Sequence, residues 1–103
     1  MSLDYLTLDL SDDADGVVTI EALASTPAAH HAAVMGEVQQ VLDWAWRHFP
    51  HTHGAVDDGM DWDHDLQVHV EGGLWHAVTL TLSASARFAE AFEAEFRPDA
   101  AAG

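Results

Sequence analysis

The stretch LQVHVEGGLWHAVTLTL, residues 66–82, decides the fold class, because apolar and polar residues alternate on both sides of two glycines. Alternation with a period of two is typical of a strand with one buried face, and glycines between two such runs predict a hairpin. A three-residue loop, Glu71-Gly72-Gly73 with Gly73 left-handed, pairs Leu66 with Val78. We predict this loop because a two-residue loop would split the apolar residues between the two faces of the sheet.

The N-terminal region predicts a second hairpin of the same kind. Apolar and polar residues alternate up to Leu10, and turn-forming residues then precede another extended pattern. A three-residue loop, Ala14-Asp15-Gly16, pairs Leu10 with Ile20 and Leu8 with Ala22. Both hairpins are therefore expected to close through an odd-numbered loop that ends on glycine.

A helix is predicted after each hairpin. Thr26 is a suitable N-cap for the first helix, with Pro27 at the first helical position, and Pro50 ends it. Between these residues the apolar side chains recur at helical spacing. We expect Trp46 to pack in the core and Trp44 to lie off the main apolar stripe.

The second helix is predicted to begin near Ser83 or Ser85 and to extend to about Arg97, where Pro98 stops it. Three aromatic residues at helical spacing form its expected buried side: Phe88, Phe92 and Phe96.

The order hairpin, helix, hairpin, helix predicts an α+β protein. We expect a two-layer ββαββα sandwich, in which a four-stranded antiparallel sheet carries both helices on one face. That face should bear Leu8, Ile20, Val68 and Leu80. With 103 residues, the chain is expected to form a single domain over residues 1–98, followed by a disordered tail at 99–103.

The charge of the chain is strongly one-sided. Eighteen Asp and Glu residues accompany three Arg and no Lys, which gives a net charge of −15 at pH 7. Such a chain cannot neutralise a phosphate backbone and is repelled by anionic membranes, so we expect neither nucleic acid nor membrane as a partner. A plain solvated surface or salt adaptation would also explain the acidity. If the acidity serves binding, the partner is a basic protein.

Other features of the composition indicate the setting of the protein. The chain has no cysteine, which excludes disulfides, thiolate ligands and a nucleophilic thiol. No apolar run approaches the roughly 20 residues that cross a bilayer, and the N-terminus lacks the pattern of a secretion signal. We therefore expect a cytoplasmic protein.

The sheet face opposite the helices is a candidate interface. By the predicted registers it bears Tyr5, His69 and Trp75 among threonines and acidic residues. An aromatic centre inside a polar rim is typical of protein interfaces, and such a face could join two copies into a homodimer. Simple solvation is the alternative.

Potential metal ligands are concentrated in residues 48–65, which contain four histidines and five aspartates. The connection from Pro50 to about Asp63 is long for a loop without evident structure, and such loops are often functional. Two or three histidines with one carboxylate suit a transition metal such as Zn, Ni or Fe. The aspartates do not follow the spacing of a calcium loop. The candidate ligands are His51, His53, Asp57, Asp61 and His64.

The sequence carries none of the familiar enzymatic signatures, such as a nucleophile elbow or a glycine-rich phosphate loop. We therefore expect a small acidic module without catalytic activity, which binds another protein or associates with itself. The alternative is a metal-dependent or small-ligand-binding protein that uses residues 51–65.

Overall fold

The computed structural model describes residues 3–13 and 16–96. Its main elements, in chain order, are β1 (Thr7–Asp12), β2 (Val18–Pro27), α1 (His31–His48), β3 (Trp62–Glu71), β4 (Trp75–Ala84) and α2 (Ala86–Phe96). Short 3-10 turns occupy Ala28–His30 and Val56–Asp58. The predicted tail at 99–103 lies outside the described residues. Neither helix in the described part of the chain combines the length and hydropathy needed to cross a bilayer.

The predicted fold class is confirmed. The four strands form one antiparallel sheet in the order β1-β2-β4-β3, so β1 and β3 are the edge strands. The even-numbered residues from 18 to 24 in β2 and from 78 to 84 in β4 are buried with apolar residues of both helices in one core, which places both helices on the same face. The opposite face, called the open face below, bears the odd-numbered residues of the strands.

The predicted register of the first hairpin is confirmed. Leu8 pairs with Ala22 and Leu10 pairs with Ile20. The loop is closed by a backbone hydrogen bond from Asp13 to the carbonyl of Val17, at 3.0 Å.

The predicted register of the second hairpin is wrong by two residues. Leu66 pairs with Leu80 instead of Val78, because the three-residue loop is Gly72-Gly73-Leu74. Both glycines are left-handed, with φ of +59° and +72°, and the Leu74 N–H donates to the Glu71 carbonyl at 3.2 Å. The two central residues of the turn from Glu71 to Leu74 are both left-handed, a conformation that favours glycine at both positions. The loop therefore lies one residue later in the chain than predicted. A shift of two in register leaves the face of every side chain unchanged.

The predicted start of the first helix is also wrong. Thr26 and Pro27 continue β2 and pair with His76 and Trp75 of β4, and α1 begins at His31. Proline is tolerated here because it ends the strand in an extended conformation, with ψ of 156°. The sequence pattern of a helix N-cap at Thr26 is therefore overridden by strand pairing with β4.

The start of the second helix agrees with the prediction. Ser85 precedes α2, and its hydroxyl accepts the N–H of Phe88 at 3.1 Å. This is the usual N-cap hydrogen bond. The predicted end at about Arg97 lies outside the described residues.

The tryptophan assignments in α1 are wrong. Trp44 is 2% exposed and packs edge-to-face against three phenylalanines of α2, whereas Trp46 is 43% exposed. The buried stripe of α1 runs through Val38, Val41 and Ala45. At 100° per residue, Trp46 lies 200° around the helix from Trp44, so the burial of Trp44 against α2 turns Trp46 outwards.

A buried glutamate anchors the segment before β1. Glu37 of α1 is 7% exposed. Its carboxylate accepts three backbone N–H groups, at 2.8–3.1 Å, from Asp4, Tyr5 and Leu6. These bonds satisfy the buried charge and hold the N-terminal segment against α1.

Candidate functional site

The connection between α1 and β3 is fixed to the first residue of β3. Thr52 accepts the backbone N–H of Asp61 at 2.9 Å, and Gly54 donates to the Trp62 carbonyl at 2.8 Å. These bonds place His53 beside Trp62 in a parallel bridge. The connection predicted to lack structure, residues 50–61 and called the strap below, is therefore fixed against the start of β3.

This strap brings three potential metal ligands together: His53, Asp63 and His64, called the His–Asp cluster below. Nε2 of His53 lies 2.9 Å from Nδ1 of His64 and 3.4 Å from Oδ1 of Asp63. The two imidazoles are partly buried, and the Asp63 side chain is 48% exposed. The cluster therefore opens to solvent on its carboxylate side.

Local packing holds the members of the cluster in place. The His53 ring contacts two indoles that also contact each other, with its centroid 4.7 Å from that of Trp46 and 4.5 Å from that of Trp62. The Trp62 indole is fully buried and donates to the Phe49 carbonyl at 3.0 Å. Aromatic packing against a core residue thus restricts the orientation of His53.

Of the five ligands predicted from the sequence, the structure brings together His53 and His64. His51 and Asp57 are exposed, and neither belongs to the cluster found among the described residues. Asp63 was not among the predicted ligands, because no pattern distinguished it from the other aspartates of the segment. It is the second residue of β3, and its carboxylate accepts the backbone N–H of His64, the next residue, at 2.9 Å.

Asp61, the remaining predicted ligand, is engaged elsewhere. It is 8% exposed, accepts the Ser85 hydroxyl at 2.8 Å and binds the guanidinium of Arg87. The hydrogen bond from Arg87 holds the pKa of Asp61 below its usual value of 3.8, although burial opposes this shift. The Asp61 carbonyl also accepts the Ser85 N–H at 2.7 Å. Asp61 therefore joins the strap to the first turn of α2.

The three predicted interface residues are all exposed. Trp75 is 48% exposed at the start of β4, and His69 lies near it on the open face of β3. Tyr5 precedes β1 at the other edge, and its hydroxyl lies 3.4 Å from Nδ1 of His30. Tyr5 also lines a shallow groove with Ala77 of β4, which is the strand partner of His69.

β3 bears a row of exposed apolar residues, although its alternating pattern predicts that they are buried. Leu66, Val68 and Val70 are 37%, 45% and 49% exposed, although they share the face of the buried Val78 and Leu80. The helices pack mainly over β2 and β4 and leave this part of β3 uncovered. We call the outer side of β3 from Leu66 to Val70 the β3 edge.

Trp46 contributes to a surface groove, whereas two further tryptophans are buried. A surface groove of about 460 Å³ lies along α1, lined by Gln40, Asp43, Trp46 and Arg47. Trp44 and Trp62 belong to the core instead.

Comparisons with known proteins add no assignment: no family model, no curated protein and no solved structure matches this chain. The two features that carry a chemical argument are therefore the β3 edge and the His–Asp cluster.

Proposed function

We propose that this protein is a non-catalytic protein-binding module, which takes a basic, extended segment of a partner onto the β3 edge. The observation that carries the proposal is the exposure of Leu66, Val68 and Val70, between 37% and 49%, on an edge strand. Apolar residues exposed side by side on a strand with an open edge form a template for strand addition.

The backbone of the β3 edge supports this mode of binding. Trp62 directs its N–H and C=O outwards, to Thr52 and Gly54 of the strap. Because these directions alternate along an antiparallel strand, Leu66, Val68 and Val70 also direct theirs outwards. In the described part of the chain, no strand pairs with β3 on that side beyond the bridge at Trp62. A partner strand would meet three consecutive pairs of backbone donors and acceptors.

The side chains of β3 specify the character of the incoming strand. On the face of the sheet that carries the helices, the apolar residues of the incoming strand would lie beside Leu66, Val68 and Val70. On the open face, its residues would meet Asp65 and Glu71, both exposed. The net charge of −15 attracts cationic segments over a longer range. A strand that alternates apolar and basic residues is therefore complementary on both faces.

The same charges disfavour a second copy of the chain as the occupant. Antiparallel pairing of two β3 strands centred on Val68 would place Asp65 opposite Glu71 of the other copy, and like charges in that position are destabilising. The two chains together would also carry a charge of −30. A foreign basic segment avoids both penalties.

The proposal is tested with peptides of about seven residues. One alternates arginine with valine, and the other alternates glutamate with valine. Calorimetry should detect binding of the arginine peptide alone, and salt should weaken this binding because the attraction is screened. Val68→Lys should lower the affinity at least tenfold. Ser11→Lys, the same change of charge on the exposed part of the opposite edge strand, is the matched control.

Three outcomes would contradict the proposal. Equal binding of both peptides would show that charge does not select the partner. Equal weakening by Val68→Lys and Ser11→Lys would mean that the β3 edge is not the site. Concentration-dependent self-association that Val68→Lys abolishes would identify a second copy as the occupant.

A further inference from the structure

Beyond protein binding, we infer that His53, Asp63 and His64 form a binding site for a late first-row divalent metal ion of the Zn²⁺ and Cu²⁺ class. The inference starts from a convergence of donor atoms: all three side chains offer a ligand atom within 4.8 Å of the others. The three residues come from two segments: His53 lies in the strap, and Asp63 and His64 are the second and third residues of β3. The cluster is therefore a product of the fold.

The distances between these atoms fit a shared ion. Two ligands that each lie about 2.0–2.1 Å from a metal are separated by about 2.9 Å at a right angle and about 3.4 Å at the tetrahedral angle. Nε2 of His53 is 2.9 Å from Nδ1 of His64 and 3.4 Å from Oδ1 of Asp63. Both spacings thus lie within the range that one coordination sphere requires.

The chemistry of the donor set determines the class of metal. Two imidazole nitrogens and one carboxylate oxygen suit Zn²⁺, Ni²⁺ and Cu²⁺, whereas Mg²⁺ and Ca²⁺ prefer oxygen ligands throughout. Three protein ligands leave at least one coordination position for water or another group. The exposed side of Asp63 provides access from solvent.

The surroundings restrain the ligands as a metal site requires. The His64 N–H donates to Oδ1 of Asp63 at 2.9 Å and orients this carboxylate towards the edge of the strand. The indoles of Trp46 and Trp62 hold the His53 ring. Hydrogen bonds and packing of this kind commonly orient metal ligands.

A direct hydrogen bond between the two imidazoles is the competing account of the 2.9 Å contact. It needs no ion, and it predicts no stoichiometric metal binding. A metal titration therefore separates the two accounts.

The experiment measures Zn²⁺ binding by calorimetry and Cu²⁺ binding by quenching of tryptophan fluorescence, on the full chain. His53→Gln, Asp63→Asn and His64→Gln remove the ligands one at a time. His51→Gln is the matched control, since it removes an exposed histidine two residues from His53. Far-ultraviolet circular dichroism and the thermal midpoint check that each variant is folded.

The site predicts one Zn²⁺ ion per chain and a raised thermal midpoint with Zn²⁺. Each ligand variant should bind at least tenfold more weakly, whereas His51→Gln should match the wild type. Cu²⁺ should quench Trp46 and Trp62, whose rings adjoin His53, and Zn²⁺ should compete with this quenching. The site is refuted if the wild type binds no stoichiometric metal, if the ligand variants bind as well as the wild type, or if His51→Gln weakens binding as much as His53→Gln.

Discussion

The buried carboxylate of Glu37 gives a sharp test of how the N-terminal segment is held. It is 7% exposed on α1, and its two oxygens accept backbone N–H groups from Asp4, Tyr5 and Leu6. Glu37→Gln keeps the size of the side chain but removes its charge. The substitution also replaces one acceptor oxygen with a donor NH₂ group.

The expected loss of stability follows from these bonds. Hydrogen bonds to a charged group contribute about 1.5–3 kcal/mol each, and neutral ones about 0.5–1.5 kcal/mol. In the variant, the bond from Asp4 to Oε2 has no acceptor, and the bonds from Tyr5 and Leu6 to Oε1 become neutral. Because the segment can partly detach and regain water, we expect the free energy of unfolding to fall by about 2–4 kcal/mol.

Urea unfolding followed by tryptophan fluorescence measures this loss, and amide exchange at residues 4–6 shows whether the segment has detached. Glu90→Gln, at an exposed glutamate of α2, is the matched control and should change the stability by less than about 0.5 kcal/mol. If Glu37→Gln costs no more than Glu90→Gln, the carboxylate does not anchor the segment.

Three further predictions concern the strap, the core and the open face. The pKa of Asp61 is lowered in the folded state, so the stability that its carboxylate contributes is present above the unfolded pKa near 3.8 and is lost as the pH falls through the folded pKa. The loss of unfolding free energy in Asp61→Asn, measured by urea unfolding, should therefore be full at pH 7 and shrink below pH 3.8. A deficit that does not change with pH would refute the ionic role. Trp44→Ala should cost about 3–5 kcal/mol of unfolding free energy, whereas Trp46→Ala should cost about 1 kcal/mol or less; equal losses would contradict the assigned burial. Repulsion between chains of charge −15 predicts a monomer in sedimentation at low salt. A dimer that strengthens with salt and disappears in Trp75→Asp would show that the open face is an interface.

Much of the fold could be predicted from the sequence, because the faces of strands follow from a period of two. The pairing of Leu8 with Ala22 is an example. The errors arose where local patterns compete with tertiary structure. Thr26 and Pro27 resemble a helix start, yet they complete the ladder with β4. The exact position of the second loop depends on the φ of both glycines, which the alternation alone does not specify.

The candidate sites were less predictable. The density of ligands indicated His53 and His64, but nothing in the sequence distinguished Asp63 from the neighbouring aspartates. Its carboxylate joins the cluster by bonding the N–H of the next residue, His64. Asp61 is held by Arg87, 26 residues further along the chain, and no local pattern reveals such a contact. The exposure of Val68 depends on where the helices pack over the sheet, which the hydrophobic pattern of a single strand does not determine.

Amide hydrogen exchange along β3 tests the proposed binding mode most directly. In the free protein, the N–H groups of Leu66, Val68 and Val70 should exchange quickly, whereas those of Gln67 and His69 are protected by β4. When the peptide of alternating arginine and valine is bound, the three even-numbered amides should become protected, since they donate to the added strand. Binding of the peptide without new protection at these three positions would contradict strand addition at the β3 edge.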